Sequence, residues 1–255
     1  MILTIDIGNS NILIGVFNKN LIASKRYITK KDITKKEITN KITVFLNEYS
    51  IKKENISAII IASVVPDLNK IYAITIEKLL NKKCYFLKDF INDFPLKISI
   101  DNKNEVGDDR LANSLAALEI YQDNVIVIDF GTAITFDIVT KKEGYIGGVI
   151  FPGVRLALKY LCNDTAQLTK VDITKIENIT GKNTNDAIKS GMFNGYLAML
   201  EGVTAKIIKE HNLNFKIIIT GGIGKIFADN TILKNEYDEN LTLTGLKILY
   251  HKKCL

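Results

Sequence analysis

Long apolar runs are missing from this 255-residue chain. The longest, residues 58–65, is broken by Ser63 and is far shorter than the ~20 residues a membrane span requires, so it reads as a buried strand. The first residues carry neither a basic stretch nor an extended apolar core, and Asp6 interrupts the first apolar run. That argues against a secretory signal and leads us to expect a cytoplasmic protein. Cysteine is scarce: Cys84, Cys162 and Cys254 are odd in number, widely spaced and free of any Cys-x-x-Cys pattern, which argues against a disulfide framework or a zinc site. Proline is equally scarce, at three against 16 glycines, while 47% of residues are hydrophobic and 24% charged; this is the composition of an ordered globular protein. The net charge of +6 comes from scattered lysines, as in residues 30–36, without the interleaved aromatics of a nucleic-acid platform. It reads as a solvated basic surface, so neither a nucleic-acid nor a membrane partner is expected, although part of the charge could favour an anionic substrate. Also absent are a Walker A pattern and a Gly-x-Gly-x-x-Gly fingerprint, which removes two familiar routes to nucleotide binding.

What is present is a repeat. An apolar strand over 2–5 leads into Asp6-Ile7-Gly8-Asn9-Ser10-Asn11, then a second run over 12–17, the turn 18–20 and a third strand over 21–27. Ile38, Ile42, Phe45, Leu46 and Tyr49 recur at helical spacing, and residues 58–65 resume a strand closed by Pro66. The same grammar returns: strand 125–128, the corner Asp129-Phe130-Gly131-Thr132, strand 134–139, a hairpin over 141–144, strand 145–150, helical segments and strand 215–220. The second copy is longer, with Ala187, Ile188, Met192, Tyr196 and Met199 at helix-like intervals. Residues 111–121 between the copies read as a helix. Length permits one large domain or two halves; the duplication predicts two α/β lobes, 1–115 and 116–255, facing each other across a cleft.

A lone Asp-x-Gly-x-(Ser/Thr) is weak, because aspartate and glycine populate structural turns everywhere. Two copies at equivalent places carry more: glycine admits close approach of phosphate, amides and hydroxyls donate to it, and the carboxylate can hold a cation or its water shell. Together the corners could clamp a triphosphate from both sides. Thr220-Gly221-Gly222-Ile223-Gly224 leaves no side chains in the way of a flat ligand, and equally fits a plain strand-to-helix connection. Asp109-Arg110 stands before the helical stretch, where aspartate commonly caps and where a carboxylate could equally act as a base.

These residues resemble the superfamily of acetate and sugar kinases, heat-shock ATPases and actin, and more narrowly the type III pantothenate kinases. The matches are Asp6-Ile7-Gly8-Asn9-Ser10, Gly107-Asp108-Asp109-Arg110, Asp129-Phe130-Gly131-Thr132-Ala133, Gly147-Gly148 with Pro152-Gly153, Thr165-Ala166-Gln167-Leu168, Gly181-x-x-Thr184 with Ser190-Gly191, Thr220-Gly221-Gly222 and the closing 241–246. The resemblance implies a duplicated ribonuclease H-like, actin-like ATPase fold. It further implies transfer of the ATP γ-phosphoryl group to pantothenate, the first step of coenzyme A synthesis, with magnesium and a monovalent cation, potassium or ammonium, as cofactors. By the same carry-over Asp109 is the base, and Ile100, Gly107, Asp108, Asp109, Arg110 and Thr184 bind pantothenate. Asp6, Gly8, Asn9, Ser10, Asn11, Thr132, Gly221 and Gly222 contact ATP. Asp129 holds the monovalent cation and Asp6 the magnesium through water. A homodimer is implied as well, with Thr184 reaching pantothenate from the opposing subunit.

Two residues depart from the family pattern. Ile100 stands where a tyrosine usually touches pantothenate, and Lys103 where proline usually follows Asn102. Loss of a phenol removes a polar contact, which weakens binding or shifts specificity while leaving phosphoryl transfer intact. Two other classes stay in view. One is an actin-like or chaperone-like ATP switch, recognisable by hydrolysis indifferent to pantothenate. The other is a kinase-inactive regulatory relative, recognisable by steeply salt-dependent DNA binding.

Overall fold

The computed structural model describes residues 1–163 and 172–254; Thr165-Ala166-Gln167-Leu168 lies outside the described residues. Two five-stranded sheets are built to one plan. The first contains β1 (Ile2–Ile7), β2 (Asn11–Phe17), β3 (Leu21–Ile28), β4 (Ala58–Ser63) and β5 (Cys84–Phe86). The second contains β6 (Val125–Phe130), β7 (Ala133–Thr140), β8 (Gly144–Pro152), β9 (Lys216–Thr220) and β10 (Asn235–Tyr237). Their orders, β3-β2-β1-β4-β5 and β8-β7-β6-β9-β10, are the same. In each, the first strand runs antiparallel to the second and parallel to the fourth, so the duplication legible in the sequence is a duplication of topology. Strands β1, β4 and β6 are apolar almost throughout because both their faces are covered, whereas the edge strand β3 alternates with solvent.

The helices are α1 (Lys35–Glu48), α2 (Pro66–Leu80), α3 (Asp108–Tyr121), α4 (Val154–Asn163), α5 (Thr184–Ser190), α6 (Tyr196–His211), α7 (Gly224–Ala228) and α8 (Leu241–Cys254). Helix α1 begins with a reciprocal cap: Thr34 Oγ1 accepts the Glu37 N–H and Glu37 accepts the Thr34 N–H. That hydrogen bonding holds the Glu37 carboxyl down at about 2. The helix then buries Ile38, Ile42, Phe45 and Leu46 against the first sheet's core of Leu3, Ile5, Ile59 and Ile61. Pro66 does more than close a strand. It occupies the first turn of α2, where its missing N–H costs nothing. Between α5 and α6 the backbone widens into a π-helical turn, Gly191–Gly195, so the helical spacing read over this stretch belongs to three connected pieces.

The chain divides into two compact units, Met1–Ile120 with Asn240–Leu255, and Tyr121–Glu239. Helices α3 and α8 therefore belong to the unit of the first sheet, whereas a cut at 115/116 assigns all of α8 and the end of α3 to the second lobe. Packing gives the reason. A Cβ at Gly245 of α8 would lie 2.0 Å from the Ala112 carbonyl oxygen of α3, and Thr242 Oγ1 donates to buried Asn113 at 2.8 Å. On its other side Leu243 joins Leu13 and Phe17 in an apolar cluster on β2. The second unit has its own core, centred on Ile126, Ile128, Phe136, Phe193, Leu200, Ile219 and Phe227. Among the described residues no helix is long and apolar enough to cross a membrane.

Candidate active site

In the first unit, Asp6 is the fifth of six residues in β1, paired with Leu13 of β2 and Ala62 of β4. The corner that follows is closed by the Gly8 N–H donating to the Asn11 carbonyl at 2.9 Å, the atom a Cβ at Gly8 would meet at the same distance. Asn9 and Ser10 are exposed at its tip. Thr29, just past β3, pins this corner from outside: its Oγ1 donates to the Gly8 carbonyl at 2.7 Å and its N–H to the Ser10 carbonyl at 3.0 Å. Sequence reasoning passed over Thr29, because a single threonine after an edge strand gives no periodic signal.

The acidic run Gly107-Asp108-Asp109-Arg110 forms the start of α3, with the Gly107 carbonyl accepting the Leu111 N–H at 3.2 Å. Asp109 folds back over Gly107. Its Oδ1 accepts the Arg110 N–H at 2.8 Å, and a Cβ at position 107 would lie 2.5 Å from that oxygen and 3.2 Å from Val64 Cγ1. Glycine is what leaves room. Asp109 is thus the second residue of α3, inside the first turn and not at the cap before it; its carboxylate still satisfies one free N–H there, which is compatible with a role as base. Burial pushes the Asp109 carboxyl above its ordinary range, against the opposing pull of the Arg110 N–H and guanidinium, a direction that suits a base. Asp108 is 2% exposed, and its Oδ2 accepts the Ser63 N–H at 3.0 Å. Ile100 is half-buried in the irregular stretch before the 3-10 turn Lys103–Glu105. Lys103 opens that turn and donates to Asn92 Oδ1 at 2.9 Å. The first position of such a turn accepts proline and other residues alike, so this departure from the family pattern leaves the backbone path intact.

In the second unit three separate segments meet. Asp129 sits fifth in β6, paired with Thr135 and Thr220, the place Asp6 holds in β1. Its corner is one residue tighter, with the Gly131 N–H donating to the Ala133 carbonyl at 3.0 Å. The Gly153 N–H donates to the Thr132 carbonyl at 3.1 Å, and a Cβ there would lie 2.3 Å from the same oxygen. Gly221, at φ +90°, closes the other side: a Cβ would lie 2.6 Å from both Asp129 Oδ1 and the Phe130 carbonyl oxygen. Tyr237 of β10 donates to the Gly221 carbonyl at 3.0 Å, and Phe130 stacks on Phe227 of α7 with ring centroids 4.5 Å apart. The Gly221-Gly222 loop, the Asp129 corner and Gly153 therefore form one built assembly, with Thr132 and Gly222 exposed on it.

Thr184 is the first residue of α5, capped by Asn183, whose Oδ1 accepts the Asp186 N–H at 2.9 Å. Gly181 packs onto that first turn, where a Cβ would lie 2.2 Å from the Ala187 nitrogen. The Thr184 side chain is exposed.

The sequence profile of the type III pantothenate kinase family matches residues 2–206. The chain belongs to the type III pantothenate kinase family. The type III pantothenate kinase of Sulfurihydrogenibium sp. (strain YO3AOP1) is 40% identical to it over 250 residues, covering 98% of this chain and 99% of that protein. The enzyme of the same name from Persephonella marina is 36% identical over 252 residues, covering 98% of each. Among solved structures, a Campylobacter jejuni protein named for the Baf family of transcriptional activators superposes with a TM-score of 0.61 at 23% identity, covering 99% of this chain and 98% of that one. A Sinorhizobium meliloti protein assigned as a 2-dehydro-3-deoxygalactonokinase superposes at 0.60 and 11% identity, covering 99% and 97%. These likenesses fix the fold of this pantothenate kinase relative as the duplicated actin-like ATPase fold, and the family rests on the sequence matches.

Proposed function

We propose that the chain transfers the γ-phosphoryl group of ATP to the primary hydroxyl of pantothenate, giving 4′-phosphopantothenate. The observation that carries this is the pair of equivalent acidic glycine corners at the ends of β1 and β6 in a chain matching the pantothenate kinase family over residues 2–206. Asp109 accepts the hydroxyl proton as the new oxygen–phosphorus bond forms and the bond to ADP breaks, and burial raises its carboxyl in the direction a base requires. Gly107 and Arg110 flank it, and the Arg110 guanidinium supplies fixed positive charge where an anionic substrate must be held. Ile100 and Thr184 complete the pantothenate contacts, Thr184 from the second subunit of a homodimer. Gly8, Asn9, Ser10, Asn11, Thr132, Gly221 and Gly222 are the residues we assign to the nucleotide.

Among the described residues no three His, Cys, Asp or Glu side chains converge into a metal cage. A half-buried carboxylate such as Asp6 fits magnesium that arrives on phosphate and keeps most of its waters. At the second corner Asp129 Oδ1 and the Phe130 carbonyl oxygen flank the same glycine, an all-oxygen pair that suits a hard monovalent cation, potassium or ammonium. Bound there, such ions neutralise crowded phosphate oxygens. We read the protein as cytoplasmic.

The test is ADP release by purified protein with ATP, magnesium and potassium, with and without pantothenate. Pantothenate-dependent turnover that falls when potassium is replaced by a large organic cation is expected; turnover indifferent to pantothenate overturns the assignment.

A further inference from the structure

Asp108 is the most deeply buried acid of the Gly107-Asp108-Asp109-Arg110 run, and its burial has a specific geometry. It is the first residue of α3, yet its side chain turns onto the neighbouring strand, with Oδ2 accepting the Ser63 N–H at 3.0 Å. Ser63 ends β4 and is the register partner of Ile7, the last residue of β1. The next N–H, of Val64, donates to the Ile7 carbonyl at 3.1 Å. One step further, Val64 Cγ1 lies where a side chain at Gly107 would need to be. The start of α3 is thus seated on the end of β4, which is itself laddered to the strand that leads into the Asp6-Gly8 corner.

A buried carboxylate is an expensive way to begin a helix. Asp108 Oδ1 has no hydrogen-bond partner among the described residues, and the residue lines a cavity of about 350 Å³ with Asn69, Ala73, Phe86, Lys88 and Asp89. An exposed serine or aspartate would serve a helix start at far lower desolvation cost. What the burial secures is the Ser63 N–H at the end of β4.

We propose that Asp108 is a positioning residue: through the Ser63 N–H it holds the first turn of α3, and with it the Asp109 carboxylate, at a fixed place beside the first glycine corner. It acts on the substrate through Asp109, and not as the direct pantothenate contact that the family resemblance implies for this position. The idea rests on Asp109 being the base of the proposed kinase reaction.

The experiment compares Asp108→Ala and Asp108→Asn by steady-state kinetics in ATP and in pantothenate, alongside thermal unfolding. Asp108→Ala is expected to lower kcat by about 10- to 100-fold, the scale of an ångström-level misplacement of a reacting group, while KM for ATP stays within about twofold. Asp108→Asn keeps an oxygen for the Ser63 N–H and is expected to recover kcat to within about threefold of the wild type. Four results overturn the proposal: wild-type kcat in Asp108→Ala, a rise in pantothenate KM with kcat unchanged, an equal loss in Asp108→Asn, or a loss removed by assaying well below the unfolding temperature. If Asp108→Ala does not fold, Asp108→Asn decides alone, with a fall of more than about tenfold counting against. Failure of the wild type to turn over pantothenate sinks the kinase assignment instead, so the two ideas fail separately.

Discussion

The two sheets share one strand order, but the loops that follow their equivalent fourth strands have opposite characters. After β4 come Val64 and Val65, then the 15-residue helix α2, which opens on Pro66. After β9 come Gly221, Gly222 and Ile223, then the five-residue α7. The first loop is filled: Val64 packs at Gly107, and Ser63 is bonded to Asp108. The second opens on two glycines, with Ile223 at the helix start turned to the core, and the Gly221 carbonyl is held by Tyr237. A duplicated frame has thus been specialised by filling one copy and emptying the other. The filled copy carries the acid expected to accept a proton, the emptied copy the surface expected to accept a flat base.

If that division of labour holds, damage to the two copies should separate in kinetics. The largest effect belongs to Asp109→Asn, expected to lower kcat by about 10²- to 10⁴-fold with ATP affinity changed by less than a few-fold, measured by turnover and nucleotide titration. Equal loss of turnover and of ATP binding would break the comparison from the first side. The next effect is on stability. Burial pushes the Asp108 carboxyl from its ordinary 3.8 up to about 6, with the Ser63 N–H and Lys88 acting the other way. The folded chain therefore keeps a proton that the unfolded chain gives up. Its contribution is fully present below about pH 4 and lost as pH rises through about 6, on the order of 3 kcal/mol in all. Denaturant unfolding across that window should show the decline, and Asp108→Asn should flatten it.

Gly221→Ala tests the emptied copy. At φ +90°, with a Cβ 2.6 Å from the Phe130 carbonyl oxygen, alanine should cost about 1–3 kcal/mol and raise KM for ATP more than it lowers kcat. Gly8→Ala, where φ is ordinary and the nearest atom is 2.9 Å away, should cost less in thermal unfolding. Equal costs would mean that the second corner is no tighter than the first. The smallest effect sharpens the first corner: Thr29→Val removes one donor to the Gly8 carbonyl and should cost about 1 kcal/mol, with a modest rise in KM for ATP.

Much of this frame was legible before any coordinates. The apolar runs of β1, β2, β6 and β7 are long enough to show their period, and the acidic corners fall directly after strands in both copies. What escaped has physical reasons. Strands β5 and β10 are three residues long, too short for any alternation to register. The seating of Asp108 depends on an N–H 45 positions earlier, and the pinning of Gly8 on a threonine 21 positions later; neither spacing is periodic. The closing residues 241–246 entered only through the family resemblance, and neither their helix nor its companion sheet could be read from them. Its packing is decided by shape at Gly245 and Gly15, where a Cβ would strike Ala112 and Leu243, and shape leaves no pattern in the order of residues.

That last helix has a consequence for how the chain is made. A ribosome delivers the unit Tyr121–Glu239 as one uninterrupted stretch, free to close as soon as it has emerged. The sheet synthesised first must wait with Leu13 and Phe17 uncovered until Leu243 arrives, more than 200 residues later. The beginning of the protein is thus the part completed last, and a nascent chain paused before residue 241 would expose apolar surface on its oldest half.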